Sequence, residues 1–350
     1  MKAGRTLQDL ATELDRQMKT KKDIVGDTSR FALLSTAFAA PNSSILRVAG
    51  YGNFAVNELA HDQIALRLQI PKPYYDRLRT FAPGLLDGNV DYWFANKSER
   101  RLLRTVDGRL RAFLSDRYRP LDNYDLTEVV LPVISKLGCR VESCELTERR
   151  LYIKAVNERL QADIKVGDAV QAGIVISNSE VGCGSVSIEP MVFRLVCRNG
   201  MIANEMSMRK YHVGRGAGGD DEGGVTEFYK DETRKADDKA FWMKVKDVVE
   251  ASLTEALFKQ IVGKMQKAQG IEIKGDPVKA VEVVCKRHLL NKDEQSGILK
   301  FLVQGGDLTL YGMVNAITRE SQEVPDYDRA TELERLGGEM LSNPMAEILK

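Results

Sequence analysis

Residues 100–115 read RRLLRTVDGRLRAFLS. Two runs in which apolar and polar side chains alternate flank Val106-Asp107-Gly108-Arg109. Asp-Gly between such runs is a strong short-range signal for a β-hairpin, because its tight turn needs positive φ at both central residues. The hairpin commits this part of the chain to an antiparallel sheet, and the segments on either side are read against it.

Toward the C-terminus, Leu126–Leu137 has the pattern of a helix, with Asn123 or Asp125 as N-cap, Gly138 as its stop and Pro132 as a possible kink. Strand patterns resume at Arg140–Glu145 and Arg150–Asn157. Val170–Ser177 and Ser185–Arg198 form a further pair around Gly182-Cys183-Gly184. Alternation along the last strand sets Met191, Phe193, Leu195 and Cys197 on a core face, and Val192, Arg194, Val196 and Arg198 on the other.

Toward the N-terminus, Leu7, Leu10, Leu14 and Met18 recur at helical spacing. Val56–Leu68 and Pro71–Thr80 read as two more helices, open to a helix-turn-helix reading or to plain core packing. After the sheet, GRGAGGDDEGG at 214–224 has too little apolar surface to pack and reads as a flexible loop. Helical patterns follow at Phe228–Gln269, Pro277–Leu290, Asp293–Val303, Asp307–Thr318 (Asp307 as N-cap) and Ala330–Leu341.

The expectation is an α+β protein with a central, mainly antiparallel β-sheet, flanking helices and a helical C-terminal region. It divides into a mainly helical region at 1–95, a sheet with one helix at 96–213, the glycine-rich loop at 214–226 and helices at 227–350.

Composition narrows the function. A net charge of +1 in 350 residues, with 51 Lys+Arg against 50 Asp+Glu, shows no global basic excess, so a nucleic-acid site must come from local clustering. No run approaches the roughly 20 apolar residues of a membrane span. The acidic, amphipathic N-terminal stretch is unlike a signal peptide. Five scattered cysteines suit reduced thiols, which points to a cytoplasmic setting.

Motifs for catalysis are weak. Gly214, Gly216 and Gly219 satisfy G-x-G-x-x-G, but Asp220, Asp221 and Glu222 follow at once and would repel a pyrophosphate. There is no P-loop, and His61, His212 and His288 sit in no nucleophile motif. Asp116 and Asp122 suit a metal for phosphoryl chemistry, or an ion pair and a helix cap. No enzyme activity and no cofactor are expected.

Local charge is the remaining signal. Lys97, Arg100, Arg101, Arg104, Arg109, Arg111, Arg117 and Arg119 crowd residues 96–120, opposed by Glu99, Asp107 and Asp116. Simple alternation puts Arg109, Arg111 and Phe113 on one strand face with Tyr118 nearby. Arginine interleaved with aromatics suits a groove that tracks a nucleic-acid backbone and stacks bases. Arg194, Arg198, Arg209 and Lys210 would extend it, and a solvated face of paired arginines is the competing reading.

Several of these residues carry a family resemblance. Pro73-Tyr74-Tyr75-Asp76-Arg77, Leu85–Val90 with Trp93, Leu103–Gly108, Phe113–Asn123 (FLSDRYRPLDN) and Arg194–Met201 (RLVCRNGM) resemble the phage and plasmid family known as domain of unknown function 932. The likeness runs from about residue 30 to about residue 260, with none recognised after about 275. It implies residence on a mobile element and an intracellular setting, with no settled activity. A looser analogy, to phage annealing proteins of the Red-beta and Erf kind, suggests single-stranded DNA binding and strand annealing by a homo-oligomeric ring or filament. Alternatives are a duplex-binding regulator using Arg77 and Arg79, a nuclease using Asp116 and Asp122, or a protein-binding anti-host or structural protein.

Overall fold

A computed structural model describes residues 1–35, 43–203, 208–210, 231–346 and 348–349. In chain order, α1 (Leu7–Thr20) leads into β1 (Lys22–Asp27), β2 (Phe31–Leu34), β3 (Ile45–Val48) and β4 (Gly52–Val56). Three helices follow, α2 (Glu58–Arg67), α3 (Lys72–Phe81) and α4 (Pro83–Asn96). The hairpin β5 (Arg100–Val106) and β6 (Arg109–Ser115) comes next, then α5 (Asn123–Lys136). The strands β7 (Cys139–Leu146), β8 (Leu151–Lys165), β9 (Asp168–Asn178), β10 (Val186–Arg194), β11 (Asn199–Ile202) and β12 (Met208–Lys210) precede six helices. These are α6 (Asp231–Ser252), α7 (Glu255–Ala268), α8 (Pro277–Arg287), α9 (Lys292–Gly305), α10 (Leu310–Glu320) and α11 (Tyr327–Ser342).

The fold is α+β with a helical C-terminal region, but its strands form two sheets rather than one. The first has the order β1-β5-β6-β4-β3-β2, antiparallel except where β4 runs parallel to β6. The second is antiparallel, β11-β10-β9-β8-β7, with β12 also paired to β10. The stretch 1–95, read as mainly helical, therefore also supplies four strands of the first sheet. The expected central region is shared out: β5 and β6 join those strands, while β7–β12 build the second sheet.

Local chemistry explains most element ends. Asp107 and Gly108 take φ of 54° and 71°, as the β5–β6 turn requires. Asn291 and Glu294 form a reciprocal capping box at the start of α9, and Gly306 ends it in the left-handed region at φ 63°. α10 is capped by Thr309 rather than Asp307, whose carboxylate instead accepts the Thr309 hydroxyl at 2.6 Å. The residue before α5 is Asp122, not Asn123 or Asp125, and its side chain makes no capping bond because it is engaged elsewhere. The helical stretch 228–269 is broken between α6 and α7.

Helices α2–α4 bury one face of the first sheet around Leu33, Leu46, Leu103, Leu110 and Phe113. The second sheet is covered on both faces: α1, α5 and α6 pack on Ile153, Ile174 and Ile188, and α11 meets the opposite side through Tyr152, Lys154 and Glu189. Hence β10 is buried from Val186 to Phe193 and ends at Arg194. The expected strand to Arg198, with an exposed arginine face, does not form; residues 195–198 turn, and Arg198 has φ 51°.

Candidate nucleic-acid interface

Arg104 pairs with Ala112 across the β5–β6 hairpin, but the next partners are Thr105 and Leu110, so Arg111 is an extra residue in a β-bulge. An inserted residue inverts the alternation beyond it. Arg109 and Phe113 therefore occupy opposite faces, not the common face that simple alternation gives. Phe113 is 3% exposed and stacks on Phe94 with ring centroids 5.7 Å apart. It is a core side chain, and its assignment to base stacking is corrected.

Two of the clustered arginines, Arg104 and Arg111, serve the seam between the two sheets. Arg104, 2% exposed, donates through Nε to Asp23 (2.9 Å), through Nη2 to Asp122 (2.7 Å) and through Nη1 to the Glu180 carbonyl (2.9 Å). Lys21 bonds the other oxygen of Asp122. Burial pushes the Asp122 carboxyl up, and Arg104 and Lys21 more than reverse this, leaving it below the ordinary carboxylate range. Arg111 reaches Glu180 Oε2 at 3.2 Å, while Glu180 Oε1 accepts the Asn123 N–H at 2.7 Å, at the N-terminus of α5.

The remaining expected residues divide in the same way. The Tyr118 hydroxyl donates to the Ser179 carbonyl at 3.1 Å, and its half-buried ring packs beside Leu59, Leu102 and Leu114. Arg119 pairs with Asp238 of α6 at 2.5 Å. Arg194 makes a two-pronged bond to Asp168 at 2.5 and 2.8 Å, and the Tyr311 hydroxyl donates to the same carboxylate. Arg198 is exposed and paired with Glu142 at 2.7 Å. Arg209 and Lys210 lie on β12, opposite Ser187 and Val186. His212 and the loop at 214–224 fall outside the described residues.

Arg109 and Arg117 are exposed and make no ion pair among the described residues. Arg109 faces an open part of the first sheet that the sequence reading missed. Ala55 pairs with Arg109, Ile45 with Ala55, Asn53 with Arg47, and Arg47 with Ala32, so these side chains share one face. Arg47, Asn53, Ala55 and Arg109 are exposed there, whereas Leu33, Leu46, Val48 and Phe54 are buried on the face beneath α2–α4. Arg47 also makes no ion pair among the described residues. The signal was present in Ile45–Val56, ILRVAGYGNFAV, where alternation surrounds a Gly-Tyr-Gly turn.

The other constellations are tied up. Asp122, one of two candidate metal ligands, has its oxygens occupied by Arg104 and Lys21, and no group of three or more His, Cys, Asp or Glu among the described residues could hold a metal ion. Arg79, a candidate duplex-reading residue, is buried and paired with Glu58 at 2.9 Å. His61 is fully buried, its Nδ1 lies 2.8 Å from the Tyr75 hydroxyl, and burial pushes its pKa down to about 3. No described helix is long and apolar enough to cross a membrane.

Comparison with known proteins gives one match. No curated protein and no solved structure matches the chain. The family model begins at residue 112, well after the expected start near residue 30, and reaches beyond the expected limit near residue 260 to include α7–α10 of the helical region. Matched by that model over residues 112–327, the chain belongs to the family described as a domain of unknown function, DUF932.

Proposed function

We propose that this protein binds single-stranded DNA without catalysis and anneals strands in phage or plasmid recombination, acting as a homo-oligomer. The observation that carries the reading is the pair Arg47 and Arg109 on the uncovered face of the first sheet, exposed and making no ion pair among the described residues. Buried arginines already satisfied by carboxylates have little left to offer a phosphate, whereas exposed unpaired ones can displace its counterions. Arg117 is an exposed cation of the same kind, and half-buried Arg111 borders Arg109 in sequence. Arg104, Arg119 and Arg194 are positioned to hold the fold.

Fluorescence anisotropy with a labelled single-stranded oligonucleotide across a salt titration tests this. The variant R47E/R109E is expected to weaken binding at least tenfold and to make the salt dependence shallower by about 1.4 in log–log slope, two phosphate contacts being lost. Both side chains are exposed, so the fold should tolerate the change. Failure of the wild-type protein to bind at low salt, or unchanged binding by the variant, would overturn the proposal.

A further inference from the structure

We infer that Tyr51, at the tip of the β3–β4 hairpin, is the residue that stacks on unpaired bases, and that it makes the arginine face selective for single strands over duplex. This inference rests on the nucleic-acid reading above and assigns it a specificity element.

Tyr51 is 60% exposed and sits between two glycines in the positive-φ region, Gly50 at 85° and Gly52 at 118°. A Cβ at either glycine would meet nothing within 4 Å, so the tip stands in open space. The Tyr51 N–H donates to the Val48 carbonyl at 3.0 Å, and Val48 pairs with Gly52, which fixes the turn that carries the ring. Arg47 and Asn53 form the next pair along the same hairpin.

The tip of the β5–β6 hairpin lies at the same end of the sheet. Ala55 donates to the Gly108 carbonyl at 3.2 Å and pairs with Arg109. The nearby Asp107 carboxylate is occupied by Arg16 at 2.5 Å and Thr20 at 2.7 Å, which limits how far it offsets Arg109. One end of the sheet thus carries an exposed aromatic residue and two arginines that make no ion pair among the described residues. The other exposed aromatics among the described residues, Tyr74, Phe81 and Tyr92, belong to α3 and α4, on the opposite side of the sheet.

Chemistry then favours an unpaired strand. A phosphate contact is available from single and double strands alike, whereas a ring can stack only on a base whose face is open. Stacking is indifferent to base identity, so the expected ligand is any unstructured single strand.

The test compares wild type, Y51A, Y51F and R47E/R109E by anisotropy on a labelled thymidine oligonucleotide, its duplex with the complementary adenine strand, and an abasic strand of equal length. Y51A should bind the thymidine strand roughly ten- to hundredfold more weakly, the range expected for one lost stack. Its duplex and abasic-strand affinities and its salt slope should stay unchanged, and Y51F should match wild type. Equal affinity of Y51A and wild type for the thymidine strand, or an equal loss on all three ligands, would overturn the role of Tyr51. If single-strand binding survives in Y51A but falls in R47E/R109E, the stacking role alone fails. If wild type binds none of the three, the DNA reading fails with it.

Discussion

Arg104 of β5 and Asp122, the residue before α5, are joined at 2.7 Å across the seam between the two sheets, 18 residues apart in sequence. The guanidinium is 2% exposed and simultaneously reaches Asp23 on β1 and the Glu180 carbonyl in the β9–β10 connection. One side chain therefore ties four segments together, and its role is architectural.

Replacing it by Met should accordingly destabilise the protein without touching DNA affinity. R104M leaves Asp23, Asp122 and the Glu180 carbonyl short of a buried donor, and we expect a loss of about 3 kcal/mol. Urea unfolding should show a lower midpoint with an unchanged slope. Because the folded-state pKa of Asp122 is depressed, its stabilisation is present above the unfolded value near 3.8 and is lost as pH falls through the folded value. R104M should show a smaller loss of stability than wild type through that acid window. A drop in single-strand affinity without any loss of stability would instead return Arg104 to the binding surface.

How much of this was legible follows from the range of each signal. The β5–β6 hairpin announced itself because Asp107-Gly108 encodes its turn locally, and α9 to α11 because their apolar spacing is local too. The strand β2 spans only Phe31–Leu34, too short for alternation to stand out. The bulge at Arg111 leaves no periodic trace, yet it decides that Phe113 faces inward. The partners of Arg104 lie at positions 23, 122 and 180, so composition within 96–120 could show a basic cluster but not its neutralisation.

Lys154 and Glu334, both with fully buried side chains, meet at 2.6 Å between β8 and α11, and the ammonium lies 4.6 Å from the Tyr327 ring centroid. Burial drives the Lys154 pKa down, although Glu334 opposes the effect. Removing one partner strands the other, so K154M and E334L should each cost about 3–5 kcal/mol, while the double variant should recover much of that. A double-mutant cycle on chemical unfolding measures the coupling. Strict additivity of the two losses would mean that the pair contributes no interaction of its own.

The first sheet ends at β2, and its outward backbone is blunted from α4. Asp91 accepts the Leu33 N–H at 2.8 Å, and Asp87 accepts the Ser35 N–H at 2.9 Å. An unpaired strand edge is a template for intermolecular pairing, and carboxylates one helical turn apart occupy it here. D87A/D91A should lose about 2 kcal/mol and show concentration-dependent self-association in light scattering. A variant that is destabilised but stays at the wild-type assembly state would show that these carboxylates stabilise the edge without guarding it.

Glu320 closes α10 with its carboxylate against the backbone of Gly297 on α9: a Cβ built on that glycine would stand 1.9 Å from Oε2. The residue is 7% exposed, and burial, reinforced by Glu323 and Glu294 and opposed by Lys300, pushes its pKa up to about 7. The folded state thus prefers the neutral acid. Its contribution to stability is fully present below the unfolded value near 4.5 and is lost as pH rises through about 7. Glu294 is itself paired with Arg329 of α11, so the repulsion at Glu320 should persist across this window. Unfolding free energies measured from pH 4 to 8 should therefore fall more steeply for wild type than for E320Q. The difference should be on the order of 2 kcal/mol after partial solvent screening. Parallel curves for the two proteins would show that the Glu320 carboxyl ionises with an ordinary pKa and that the tight fit at Gly297 does not depend on its charge.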